Sequence, residues 1–152
     1  MFTEHDYTSS NLYDFISRFI TPGDIVLDAG CGAGNLTERA HEKCRCKIYA
    51  YDIDPEAVKT TQRRVTDSEV YLADSIRKTP LRAYDVVVAN LDPTPAVQLL
   101  QECVTYLARN ALIIITLPPE VSMILIEDLG YNIIEHTRGQ PFNAFLLKKR
   151  SS

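Results

Sequence analysis

The chain has 152 residues, 45% hydrophobic and 24% charged, with six Gly, eight Pro and no Trp, a composition expected of one globular domain covering residues 1–152. Sixteen Lys and Arg against twenty Asp and Glu give a formal charge of −4, which argues against a surface built to neutralise nucleic-acid phosphates. No apolar run approaches the roughly 20 residues of a membrane span, and the first six residues carry no hydrophobic leader, so a cytoplasmic location without a membrane partner is expected.

In chain order, Leu12, Phe15, Ile16 and Phe19 recur at helical spacing and stop at Thr21-Pro22-Gly23. A short buried strand follows at 24–28 (DIVLD), then a helix at about 33–43 and a second strand at Lys47–Asp52. Asp54-Pro55 supplies an N-cap and a first-turn proline for a helix to about residue 65. Residues Glu69–Leu72 form a third strand, and 82–90, with its run VVVA, a fourth strand buried on both faces. A helix at about 95–109 carries Val97, Leu100, Cys103, Val104 and Leu107 on one face, and 111–116 is a fifth strand. The helix at 119–129 closes on Gly130, a residue suited to a left-handed C-cap. Two last strands, 131–136 and 142–148, flank a loop with Gly and Pro and predict an antiparallel hairpin. The whole reads as an α/β protein, a doubly wound parallel sheet of five strands followed by that hairpin, with helices on both faces.

Of the four cysteines, Cys44 and Cys46 are one residue apart, Cys31 and Cys103 stand alone, and no C-x-x-C pair exists. Reduced thiols and no metal site are expected. His136 reads as structural, Arg63 and Arg64 as solvent-facing on an outer helix, and Lys148-Lys149-Arg150 as a solvated tail.

The segment IVLDAGCGAG ends the first strand and opens a helix. Glycines at 30, 32 and 34 allow a tight turn and predict a ligand lying against bare peptide N–H groups at the helix start. Asp52 closes the second strand eighteen residues beyond Gly34, where a carboxylate can accept both hydroxyls of a ribose. A dinucleotide site wants G-x-G-x-x-G, but the sixth position here is Asn35. Asp28 would repel a pyrophosphate, yet it suits a cofactor carrying a sulfonium and an α-ammonium group. Asp74, in LADS, is placed to accept from an adenine amino group. These features select S-adenosylmethionine.

With VLDAGCGAGNLT, YAYDIDPEAV, LADS and YDVVVANLDPTP in order, nearly the whole chain resembles the class I S-adenosylmethionine-dependent methyltransferases. The resemblance implies a Rossmann-like seven-stranded sheet ending in an antiparallel strand, and methyl transfer as the activity. It also implies cofactor contacts from Asp28, Gly30, Cys31, Gly32, Gly34, Asp52, Ile53, Asp74, Ser75 and Asn90, with Tyr7 and Thr8 covering the methionine end together with Tyr13. Relatives that methylate adenine or glutamine nitrogens follow the Asn with Pro-Pro and an aromatic; Leu91 and Asp92 depart from that pattern and count against those acceptors.

A closer likeness is to the catalytic domain of the ribosomal-protein lysine methyltransferases (PrmA-like), through DIDPEAV, VVVANLDPTPAVQLL and the Thr8-Ser9 pair. The separate substrate-recognition domain of that family has no counterpart in these motifs. A partner subunit, self-association or a small-molecule acceptor is therefore expected to supply what is lacking. Asn90 and Asp92 are the catalytic candidates, acting on a nitrogen or oxygen of a protein or small molecule in preference to RNA. The alternatives are a cofactor-binding, non-catalytic partner subunit and an RNA methyltransferase that works with a partner.

Overall fold

The computed structural model describes residues 15–80, 83–137 and 143–150. Tyr7, Thr8 and Tyr13, and residues 138–142 of the expected hairpin loop, lie outside the described residues. The seven strands are β1 (Ile25–Ala29), β2 (Lys47–Asp52), β3 (Glu69–Leu72), β4 (Val86–Ala89), β5 (Leu112–Leu117), β6 (Tyr131–Thr137) and β7 (Asn143–Lys149). They form one sheet in the order β3-β2-β1-β4-β5-β7-β6. The first five run parallel, and β7 is antiparallel to both β5 and β6. This is the Rossmann-like arrangement with a terminal antiparallel strand that the sequence predicts.

Alternation along the strands sorts the core into two layers. Leu27, Ala29, Val87, Ala89, Ile113, Ile115, Phe145 and Leu147 face one side, while Val26, Ile48, Val86, Val88, Ile114 and Leu146 face the other. Helices cover both faces: α1 (Asn35–Cys44), α2 (Pro55–Arg64), α3 (Pro93–Tyr106) and α4 (Met123–Asp128). α3 seals the first layer with Ala96, Leu99, Leu100 and Cys103, and Ala40 and Cys44 of α1 belong to the second. All four cysteines are free and buried. No helix among the described residues is long and apolar enough to cross a membrane.

The fourth strand is shorter than the expected 82–90, spanning Val86–Ala89, and other expectations change with it. The last helix starts at Met123 rather than 119, because the Ser122 hydroxyl caps it by accepting from the Leu125 N–H at 3.1 Å. The basic tail is structural: Lys149 Nζ donates to the Leu107 carbonyl just past α3 at 2.6 Å, and Arg150 donates to the Glu127 carbonyl of α4 at 2.7 Å. These cations sit where helix C-terminal carbonyls lack intrahelical donors. Arg64 is also engaged, on the loop that follows β1, as described next.

Candidate active site

The loop 30–34 leaves β1 through three positive-φ glycines, Gly30 at 75°, Gly32 at 55° and Gly34 at 89°, conformations that residues with a Cβ resist. They fold the loop back onto the end of β2. The N–H groups of Gly30 and Cys31 both donate to the Tyr51 carbonyl, at 2.9 and 3.0 Å. The Gly32 N–H donates to Asp52 Oδ2 at 2.8 Å, and the Gly34 N–H to the Cys31 carbonyl at 3.0 Å. The expectation of bare peptide donors therefore fails at these four positions. The glycines shape the turn, and the unpaired donors that a helix start leaves belong to the first turn of α1.

Asp28 lies beneath this loop, 3% exposed, and accepts from the Thr37 hydroxyl at 2.6 Å. Burial pushes its carboxyl up to about 6, opposed by the Thr37 bond and reinforced by the charge of Asp52. Cys31 is buried too, and burial holds its thiol near 12, so no thiolate nucleophile forms at neutral pH. Neither side chain is on the wall of the cleft described next.

That cleft, about 380 Å³, opens where the C-terminal ends of β1, β2, β3 and β4 meet α3, at the switch point where the strand order reverses. Gly30, Asp52, Ile53, Asp74, Asn90, Leu91 and Asp92 line it together with Pro95, Gln98, Leu99 and Glu102 of α3. A Cβ on Gly30 would collide with Leu91 Cδ2, so the missing side chain lets Leu91 pack directly against the loop backbone. Asp52 accepts from Gly32 on Oδ2 and from the Asp54 N–H on Oδ1 at 2.9 Å. Each oxygen keeps a second lone pair, enough for two ribose hydroxyls. Ile53 is 73% exposed beside it and gives the cleft an apolar surface.

Asp74 lines the cleft, and its carboxyl is held below the usual range by its hydrogen bond to Lys78 Nζ, 2.9 Å away. Ser75 does not reach the cleft. Its hydroxyl accepts from the Arg77 N–H to start a single 3₁₀ turn (Ile76–Lys78) and donates to Glu102 Oε2 at 2.5 Å. Through this bond Ser75 braces Glu102, which is on the wall. Asn90 is fixed by the Thr116 hydroxyl, which donates to its Oδ1 at 2.8 Å from the end of β5. Asp92 occupies the N-cap position of α3 without making a side-chain cap bond, so its carboxylate is left to the cleft.

Thr61, Arg64, Glu102 and Thr116 are the residues that sequence reasoning missed. Thr116 carried a readable signal, since a hydroxyl inside the apolar run LIIITL must find a partner when buried. Thr61 is fully buried and donates to the Gly32 carbonyl at 2.9 Å. Arg64 is exposed on the outer helix as expected, and its guanidinium also donates to the Ala33 carbonyl at 2.8 Å.

Four carboxylates, those of Asp52, Asp74, Asp92 and Glu102, line the cleft; among the described residues no Lys or Arg lines it, although Lys78 pairs with Asp74 at its edge. Such a wall repels a pyrophosphate and attracts a cation. The apolar faces of Ile53, Leu91 and Leu99 suit a flat base, and the spare lone pairs of Asp52 suit a ribose. The residues therefore fit S-adenosylmethionine.

The comparisons agree. The family model for ribosomal protein L11 methyltransferase (PrmA) matches residues 3–117. The ribosomal protein L11 methyltransferase of Thermosipho africanus is 27% identical over 149 residues, covering 95% of this chain and 55% of that protein. The one from Helicobacter hepaticus is 31% identical over 119 residues, covering 74% and 37%. The chain spans about half the length of the curated relatives it matches. Among solved structures, a ribosomal protein L11 methylase from Lactobacillus delbrueckii subsp. bulgaricus superposes with a TM-score of 0.81 at 16% identity, covering 99% of this chain and 81% of that one. A TehB-like SAM-dependent methyltransferase from Corynebacterium glutamicum gives 0.73 at 16% identity, covering 95% and 88%. At that identity they share the fold. The chain belongs to the ribosomal protein L11 methyltransferase family, whose cofactor is S-adenosylmethionine.

Proposed function

We propose that the chain uses this cleft to transfer a methyl group from S-adenosylmethionine to a nitrogen of a protein acceptor, an amine being the form the cleft suits best. The observation that carries the reading is the placement of Asn90 and Asp92 together just past β4, on a wall lined by acidic side chains. When bound, the cofactor supplies a methyl group on a sulfonium that needs no activation as a leaving group, so the protein contributes approach geometry and desolvation. Thr116 fixes the amide of Asn90 and leaves one lone pair of Oδ1 for an acceptor N–H. Asp92, uncommitted to its helix, holds an incoming ammonium and takes its proton.

Acidic walls favour an amine and repel a nucleic-acid phosphate, which ranks a protein or small-molecule acceptor above RNA. The relatives named for ribosomal protein L11 put a protein first. In this proposal a partner subunit or a second copy of the chain holds the parts of the acceptor beyond the reacting nitrogen. The test supplies methyl-labelled cofactor to the chain with ribosomal protein L11, with a small amine and with ribosomal RNA, and follows the label by mass spectrometry. Label on protein nitrogen is the expected result. Cofactor binding without transfer to any of the three would overturn the enzyme reading in favour of a non-catalytic cofactor-binding subunit.

A further inference from the structure

Two residues of α2, neither of them on the cleft wall, hold the glycine loop by its carbonyl groups. The Thr61 hydroxyl donates to the Gly32 carbonyl at 2.9 Å. The Arg64 guanidinium donates to the Ala33 carbonyl at 2.8 Å, to the Asn35 side-chain oxygen at 2.7 Å and to Glu38 Oε1 at 2.8 Å. α2 comes this near because residue 34 has no side chain. A Cβ there would lie 2.9 Å from Thr61 Oγ1 and 3.1 Å from Thr61 Cα.

The trans peptide makes this grip directional. Its N–H points opposite to its C=O, so a Gly32 carbonyl held by Thr61 turns the Ala33 N–H away from α2. Through Asn35 and Glu38, Arg64 also fixes the first turn of α1, whose amides have no intrahelical partner. On the other flank, Asp52 holds the Gly32 N–H. Gly32 is therefore gripped at both its N–H and its C=O, by β2 and by α2.

We infer that Thr61 and Arg64 are positioning residues for the amino-acid end of S-adenosylmethionine. They set the orientation of the loop peptides and of the first turn of α1 before the ligand arrives, whereas the adenosine end depends on Asp52, Ile53 and Asp74. The inference rests on the cofactor assignment above and deepens it. Its signature is a ligand-selective loss of affinity.

The experiment titrates the parent chain, R64Q, R64K and T61V with S-adenosylhomocysteine and with methylthioadenosine, which keeps the adenosine and sulfur but lacks the amino-acid end. R64Q and T61V should weaken S-adenosylhomocysteine about tenfold and methylthioadenosine no more than about twofold, as expected when preorganisation of one subsite is lost. R64K, able to reach a single carbonyl, should fall between. In the ligand-free protein, R64Q should speed amide hydrogen exchange at residues 32–35 and leave the sheet unchanged. Equal losses for both ligands, or exchange accelerated throughout, would reduce the pair to general fold support and overturn the inference, as would unchanged affinity. The Arg64 side chain is 33% exposed, so R64Q carries the test if T61V fails to fold. A parent chain that binds neither ligand would sink the cofactor assignment, and the inference with it; a parent that binds both beside an unaffected R64Q would sink the inference alone.

Discussion

Asn90 is an exposed amide just past a strand whose residues are all buried, and its side-chain oxygen accepts from a hydroxyl on the neighbouring strand. Asn90→Ala should leave the affinity for S-adenosylhomocysteine within about threefold and lower turnover on the true acceptor about a hundredfold, the size of one lost positioning contact. Calorimetry and single-turnover rates separate the two effects, and equal turnover would remove Asn90 from the reaction. Asp28 gives a different kind of test. Its carboxyl is raised from 3.8 to about 6, so its contribution to stability is complete below about pH 4 and is lost as pH rises through 6. The loss is about 3 kcal/mol. Asp28→Asn should flatten the fall in the urea midpoint between pH 4 and 6 and leave the variant more stable than the parent at pH 8; an unchanged slope would mean that the carboxyl is solvated. Asp52, Asp74, Asn90 and Asp92, all on the cleft wall, could be found in the sequence because each closes or follows a strand, and strand ends are visible as the limit of an apolar run. Arg64 and Glu102 could not. Helical periodicity tells which face of a helix is polar, but not which loop or cleft stands opposite.

At the level of elements, the strands were more legible than the helix ends. β2 and β3 have the predicted bounds, since each is an apolar or alternating run between polar turns. Apolar spacing alone starts α4 four residues too early, because it continues past Pro118 and Pro119 while the capping hydroxyl sits at Ser122. The basic tail hides its role for a related reason: a charge run reads as solvated, and nothing in it shows that two helices end beside it. Lys149→Met should cost about 1 kcal/mol by leaving the Leu107 carbonyl to water. In a chain of this size that amounts to a melting point lower by roughly 2–4 °C. Thermal denaturation checks it, and an unchanged melting point would return Lys149 to the solvated tail.

Across the whole molecule the charge is −4, and four of the acids line the cleft, one of them paired with Lys78. S-adenosylmethionine carries one more positive charge than the demethylated product, so its affinity should fall more steeply with salt. Raising ionic strength from about 0.05 to about 0.5 M shortens the screening length several-fold and should narrow the gap between the two affinities. Parallel salt slopes in calorimetry would mean that the acids do not face the sulfonium. The sheet order has a consequence of another sort. β7 lies between β5 and β6 although it follows both in the chain, so β6 leaves the ribosome before the strand it will pair with exists. Until β7 threads into the gap, the edge of β5 stays open and β6 has no seat beside it. Removing Asn143–Lys149 would thus strand the whole of β6 and not merely trim a tail, and the nascent chain is most exposed to mispairing in the moments before that insertion.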